Sequence, residues 1–237
     1  MINKLSKKEI NIAISKIQDL EGLKFKYYDG NRSNYIFNII GDPFLIIFDQ
    51  DLEKSFQERE TLNNLIKWNS EITIKIIHLR NTFIYLSTYL DRYKKSNSSK
   101  DLQYFRYFCE VISYFFVSVR DSILQLLNCY LNSPINKEHE VNLKKVKKVL
   151  EKNNQEILVF VNDFEDSIEK FRETIRNNFT HKTNPFNQYF LTTLDGEKSM
   201  GIDYTETLSN DEFYSELIRI FKSLSEYIEN LRPILHQ

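Results

Sequence analysis

The stretch Leu102–Tyr130 reads LQYFRYFCEVISYFFVSVRDSILQLLNCY. In it Leu102, Phe105, Cys109, Ile112, Phe116, Val119, Ile123, Leu126 and Tyr130 alternate steps of three and four residues. That spacing lines side chains along one face of an α-helix. Tyr104, Phe108, Val111 and Phe115 add a second apolar stripe. A helix apolar on more than one face is central, touched by several neighbours or by a partner subunit. The stretch therefore predicts the central helix of an all-α protein.

The same period recurs outward from it. Ile72, Ile76, Leu79, Phe83, Leu86, Leu90 and Tyr93 predict a long helix, preceded by another over roughly 51 to 68. Ser96-Asn97-Ser98-Ser99 is a polar loop, and Asn132-Ser133-Pro134 ends the central helix. Leu143, Val146, Leu150, Ile157, Phe160, Phe164, Ile168, Phe171 and Ile175 then keep one phase. Either one helix of about 40 residues or two helices meeting near Asn153-Asn154 fits that pattern. Phe213, Leu217, Ile220, Leu224, Ile228, Leu231 and Leu235 predict the last helix, opened by a capping box of Ser209 with Glu212. Ser6 with Glu9 predicts another box, opening a short helix to about Leu20.

Two segments break the period. Leu23 to Tyr28, Asp29-Gly30 and Tyr35 to Ile40 suggest a small hairpin, after which Asp42-Pro43 turns the chain. Tyr189 to Leu194, Asp195-Gly196 and Ser199 to Tyr204 suggest a second. The predicted fold is an antiparallel bundle of long helices with small irregular or hairpin decorations near 22–50 and 186–206. One domain over 1–237 is the simplest organisation: an N-terminal helix and irregular extension to residue 50, then the bundle over 51–237.

Composition agrees. Only 5 of 237 residues are Gly and 4 are Pro, which favours long helices over many short strands. Hydrophobic residues make up 41%, enough for a sizeable core, and the net charge is -1, so any nucleic-acid site must be locally basic. The first residues lack the apolar run of a signal peptide, and no apolar run is long enough for a transmembrane helix. Cys109 and Cys129 fall on one predicted helix roughly 30 Å apart, out of disulfide reach. The expectation is a cytoplasmic protein, off the membrane, with both thiols reduced and buried or half-buried. No Cys/His cluster suggests a metal, and the sequence calls for no cofactor.

The segment with chemical content is Arg176-Asn177-Asn178-Phe179-Thr180-His181, closing a predicted helix. As a helix C-terminus it has a plain reading: Arg and His there complement the helix dipole and cap free carbonyls. It also resembles the Arg-x4-His signature of HEPN domains, which are helical bundles with the motif near the end of a long helix. The continuation Thr180-His181-Lys182, with Pro185 three residues beyond Lys182, is similar to a bacterial branch of that family. The resemblance covers roughly residues 70 to 237.

The resemblance implies metal-independent RNA cleavage by attack of a ribose 2′-OH on the adjacent phosphate. In that reaction Arg176 supplies a planar, always-charged donor fork for charge building on phosphate oxygens. His181 shuttles a proton near neutral pH, and Asn177 orients either group. Arg172, one turn earlier, and Lys182 are candidate RNA phosphate contacts, a surface salt bridge being the plain reading of Arg172. The implied partners are RNA, a second copy of the chain, and an antitoxin or nucleotidyltransferase; the implied setting is a toxin or phage-defence effector. A non-catalytic dimeric HEPN module binding nucleotide or a partner stays open, as does a helical scaffold without a site.

Helix geometry adds a condition. Residues five apart on an α-helix differ by about 140° in direction. Arg176 and His181 converge only if the helix loosens before His181 or if two protomers share the site. Pro185 disfavours helical geometry at Asn184, so the helix ends nearby. HEPN proteins commonly dimerise around the motif, so a two-fold dimer is expected.

Other charged groups are less specific. Lys144, Lys145, Lys147, Lys148 and Lys152 form a basic helix face, ordinarily a solvated one. Arg120, Asp121, Glu165 and Asp166 are candidates to line the same cleft as the motif. Arg80-Asn81 begins like the motif but lacks the following His, and His78, His139 and His236 have no supporting neighbours. The many Tyr and Phe residues read as core and dimer surface before base-stacking platform.

Overall fold

The computed structural model describes residues 4–23, 44, 56–131, 135, 137–176, 186, 188–194, 199–205 and 208–235; at 56–59, 174, 176, 188–194 and 199–205 only the backbone is described. The first predicted hairpin thus lies outside the described residues, apart from Leu23.

The chain begins with α1 (Lys7–Ser15), opened by the expected capping box. The Glu9 amide donates to Ser6 Oγ at 3.3 Å and the Ser6 amide donates to Glu9 Oε2 at 2.8 Å. The helix ends at Ser15, short of the expected Leu20. Its bonding tightens from four residues to three, with the amides of Ile17 and Leu20 donating to the carbonyls of Ile14 and Ile17. The apolar period therefore continues through turns as far as a 3-10 turn at Glu21–Leu23.

Next comes α2 (Phe56–Ser96), one helix of 41 residues where two were expected. It contains no Gly or Pro to break it. Polar Asn69 and Thr73 are absorbed, the Thr73 hydroxyl donating to the Asn69 carbonyl at 2.9 Å. Two residues then reverse the chain into α3 (Ser99–Tyr130). Asn97 takes a left-handed φ of 51°, which its short polar side chain tolerates. Ser98 caps α3 by accepting the Asp101 amide.

The α2–α3 pair is knit by rings. His78 stacks on Phe115 at 5.2 Å, Tyr85 on Phe108 at 5.1 Å, and Tyr89 tilts onto Tyr104 at 4.9 Å. Steps of seven and then four residues on α2 match steps of seven and four in reverse on α3. That symmetry fixes the antiparallel register.

After a 3-10 turn at Glu138–Glu140 come α4 (Leu143–Asn153) and α5 (Gln155–Phe171). The choice between one long helix and two is settled by Asn154. Its backbone is extended (φ -155°, ψ 95°), its amide closes α4 on the Leu150 carbonyl, and its side chain accepts the Ile157 amide to open α5. The second predicted hairpin is present: β1 (Gln188–Leu194) pairs antiparallel with β2 (Ser199–Thr205). The last helix, α6 (Asn210–Leu235), starts at the expected Ser209–Glu212 box. The protein is an all-α bundle carrying this small hairpin.

The turn at Glu21–Leu23 is strapped across the bundle. The Gly22 amide donates to Ser225 Oγ and Glu229 Oε1, both at 2.8 Å, and buried Arg80 donates to the Leu23 carbonyl at 2.7 Å. A Cβ on Gly22 would lie 2.0 Å from the Ser225 carbonyl oxygen, which is backbone and cannot swing aside. Gly22→Ala is expected to lower stability by about 1–3 kcal/mol, the usual range for overpacking, as read by urea unfolding.

A second prediction concerns acid. Glu9 pairs with Arg92 at 2.6 Å, and that hydrogen bond, opposed by partial burial, holds its carboxyl down from the usual 4.5 to about 2. A depressed folded-state pKa stabilises the fold fully above 4.5, and the contribution disappears as pH falls toward 2. The pair is partly exposed, so it contributes about 1 kcal/mol or less. Arg92→Met should remove that part of the acid dependence in melts recorded between these pH values.

Candidate functional site

The helix that carries the motif changes its winding as it approaches it. α5 runs directly into a π-helical turn at Arg172–Arg176. A π turn closes i→i+5 bonds and is frequent at functional sites. The turn lies just ahead of the motif and ends on its first residue, whereas the interval from Arg176 to His181, where convergence would need a loosening, lies outside the described residues. Arg176 is the turn's last residue, described in backbone only; Asn177, His181 and Lys182 lie outside the described residues.

Both flanks of the motif are set in the core. Phe171 packs edge-on to Phe116 of α3 at 5.5 Å and tilts against Phe213 of α6 at 6.3 Å. Ile175 is buried, one residue before Arg176. On the far side Phe186 is fully buried, 5.6 Å from Phe213 and 6.1 Å from Phe105, with the Arg106 guanidinium 5.1 Å from its ring centre. One aromatic cluster from α3, α5 and α6 thus seats the chain before and after the segment of interest.

Beside the π turn is a charge network centred on the buried Glu165. Arg120 of α3 grips Glu165 of α5 with both arms, Nε to Oε1 at 2.7 Å and Nη2 to Oε2 at 2.8 Å. The Glu165 side chain is only 6% exposed and that of Arg120 12%. Arg120 Nη1 also donates to Asp121 at 2.7 Å. Arg172, first residue of the π turn, reaches the same carboxylate with Nη1 at a longer 3.4 Å and stays 34% exposed. Burial would pull the Arg120 guanidinium down, but the bonds to Glu165 outweigh it and the net direction is up. Tyr227 stacks on Phe164 at 4.4 Å, and burial first, then the Glu165 charge, push its hydroxyl up.

The structure therefore unites Arg120, Asp121, Glu165 and Arg172, while Asp166 stands exposed outside the network. In this structure Arg172 is ion-paired with the buried Glu165 carboxylate. The Arg120–Glu165 pair was not singled out in the sequence, yet it had a signal. Glu165 sits on the apolar phase between Val161 and Ile168, and Arg120 between Phe116 and Ile123. A charge on a core stripe requires a buried partner.

The other candidates separate from this place. Lys144, Lys145, Lys148 and Lys152 are exposed on α4, Lys145 tied to Glu140 at 2.9 Å. Cys109 is buried and Cys129 half-buried, both free, and burial pushes both thiols up. Among the described residues, no three of His, Cys, Asp and Glu come together as metal ligands, and no helix is long and apolar enough to cross a membrane.

The HEPN_Cthe2314-like HEPN family matches the chain over residues 50–232, well over half its length. The chain belongs to the HEPN family. The match begins ahead of the described part of α2 and ends within α6, so it takes in the α2–α3 pair, α5 with its π turn, and the hairpin. No curated protein and no solved structure matches the chain significantly.

Proposed function

We propose that this HEPN protein is a metal-independent endoribonuclease acting through Arg176, His181 and Asn177. The observation that carries the reading is the π turn at Arg172–Arg176, a change of helical winding that ends on Arg176, the first residue of the motif. Such changes of winding are frequent at functional sites.

In the proposed reaction His181 takes the proton of a ribose 2′-OH, and the 2′-oxygen bonds to the adjacent phosphorus. The bond to the 5′-oxygen breaks and that oxygen takes up a proton, returned by His181 or supplied by water, giving a 2′,3′-cyclic phosphate end and a free 5′-OH. Arg176 stabilises the charge on the equatorial phosphate oxygens, and Asn177 orients the phosphate or the imidazole. Arg172 and Lys182 hold neighbouring phosphates. The active form is a two-fold dimer with its motifs close to the interface, and the setting is a toxin or antiviral-defence effector opposed or modified by an antitoxin or nucleotidyltransferase partner.

The chain's near-neutral charge favours a second reading, because an RNA groove needs an evident basic surface. In that reading the protein is a non-catalytic dimeric HEPN module that binds nucleotide or a partner.

Cleavage of total RNA in excess chelator separates the two. Arg176→Ala and His181→Ala should each cost about 100-fold or more in rate while keeping the wild-type melting temperature. Equal rates for all three proteins would discard the nuclease reading. Sedimentation at micromolar concentration should show a dimer; a monomer that still cleaves RNA would refute the shared site.

A further inference from the structure

Glu165 has one more cation than it needs. The two short bonds from Arg120 fall in the range of strong charge-assisted pairs, and they satisfy a carboxylate that is almost completely buried. Arg172 adds one bond at 3.4 Å, near the limit of a hydrogen bond, and stays one-third exposed. Guanidinium offers five N–H donors, and among the described residues Arg172 engages one. A buried carboxylate left with no cation would be costly, but if Arg172 leaves, Arg120 remains.

We propose that Arg172 is a transferable phosphate ligand, parked on Glu165 in the free protein and handed to an RNA phosphate on binding. Arg120 and Glu165 are positioning residues that set how readily it leaves. Arg120 occupies both carboxylate oxygens and so weakens the hold on Arg172. The inference rests on RNA being the substrate, but it concerns binding and does not need the motif to cleave.

Two residues that do not themselves contact the RNA, Glu165 and Arg120, should then move its affinity in opposite directions. Affinity is measured by anisotropy of a fluorescent single-stranded RNA of mixed sequence, using full-length His181→Ala protein so that the probe survives. Glu165→Gln keeps the shape and removes the charge that holds Arg172, so binding should tighten by about fivefold, a usual size for coupled neighbours. Arg120→Met leaves Glu165 to grip Arg172 alone, so binding should weaken by a similar factor. The double variant should return to wild-type affinity or better. With Arg172→Ala in place, Glu165→Gln should have no effect on affinity.

Thermal melts accompany each variant. If Arg120→Met does not fold, Glu165→Gln with and without Arg172→Ala still decides the matter. Unchanged affinity in Glu165→Gln, or an effect that persists without Arg172, overturns the inference while leaving the nuclease reading intact. RNA binding with the expected couplings, but cleavage indifferent to Arg176 and His181, overturns the nuclease reading alone. A protein that binds no RNA overturns both.

Discussion

The rings of Phe116, Phe171, Phe213, Phe105 and Phe186 meet where α3, α5 and α6 come together. Each side chain is large and fully or almost fully buried. Edge-on and tilted contacts of this kind favour particular relative orientations, beyond the area they remove from water. Because Phe171 ends α5 and Phe186 stands ten residues after Arg176, the cluster anchors the chain on both sides of the motif. The segment with chemical content is thus held by a core with no chemical role of its own.

The Arg120–Glu165 pair has a different energetic character. Taking two charges out of water is expensive, and the mutual attraction of a well-made pair roughly offsets it. Such a pair contributes little net stability compared with apolar residues of the same size. What it does supply is a fixed charge pattern at the junction of α3 with the π turn. Arg172 sits at the edge of that pattern, between the protein interior and solvent.

Much of the bundle was legible because burial writes itself into sequence with a helical period. The stripe from Leu102 to Tyr130 marked α3 as central, and the structure buries most of it. Both capping boxes and the hairpin near 188–205 were equally plain, since each rests on local chemistry. The errors occurred where polarity was taken for a break. Asn69-Ser70-Glu71 does not interrupt α2, because nothing there forbids helical backbone and Thr73 bonds back to Asn69. Asn153-Asn154 does interrupt, because Asn154 serves as cap on both sides. The π turn was not readable, since one inserted residue leaves no composition signal. Family membership was legible from six residues in a helical context, whereas the positions of His181 and Asn177 lie outside the described residues.

The strap at Gly22 bears on the order in which the molecule assembles. Its partner Ser225 is 203 residues away in the chain, whereas α2 and α3 are joined by two residues and zip together through neighbours in sequence. Loop-closure entropy delays the first kind of contact and scarcely touches the second. The topology therefore favours early formation of the α2–α3 hairpin and late docking of the N-terminal turn onto a bundle already holding α6. Until that docking, the Arg80 guanidinium and the Ser225–Glu229 edge of α6 lack the backbone groups that meet them in the finished fold. The N-terminal turn is a latch on a frame built by other parts of the chain.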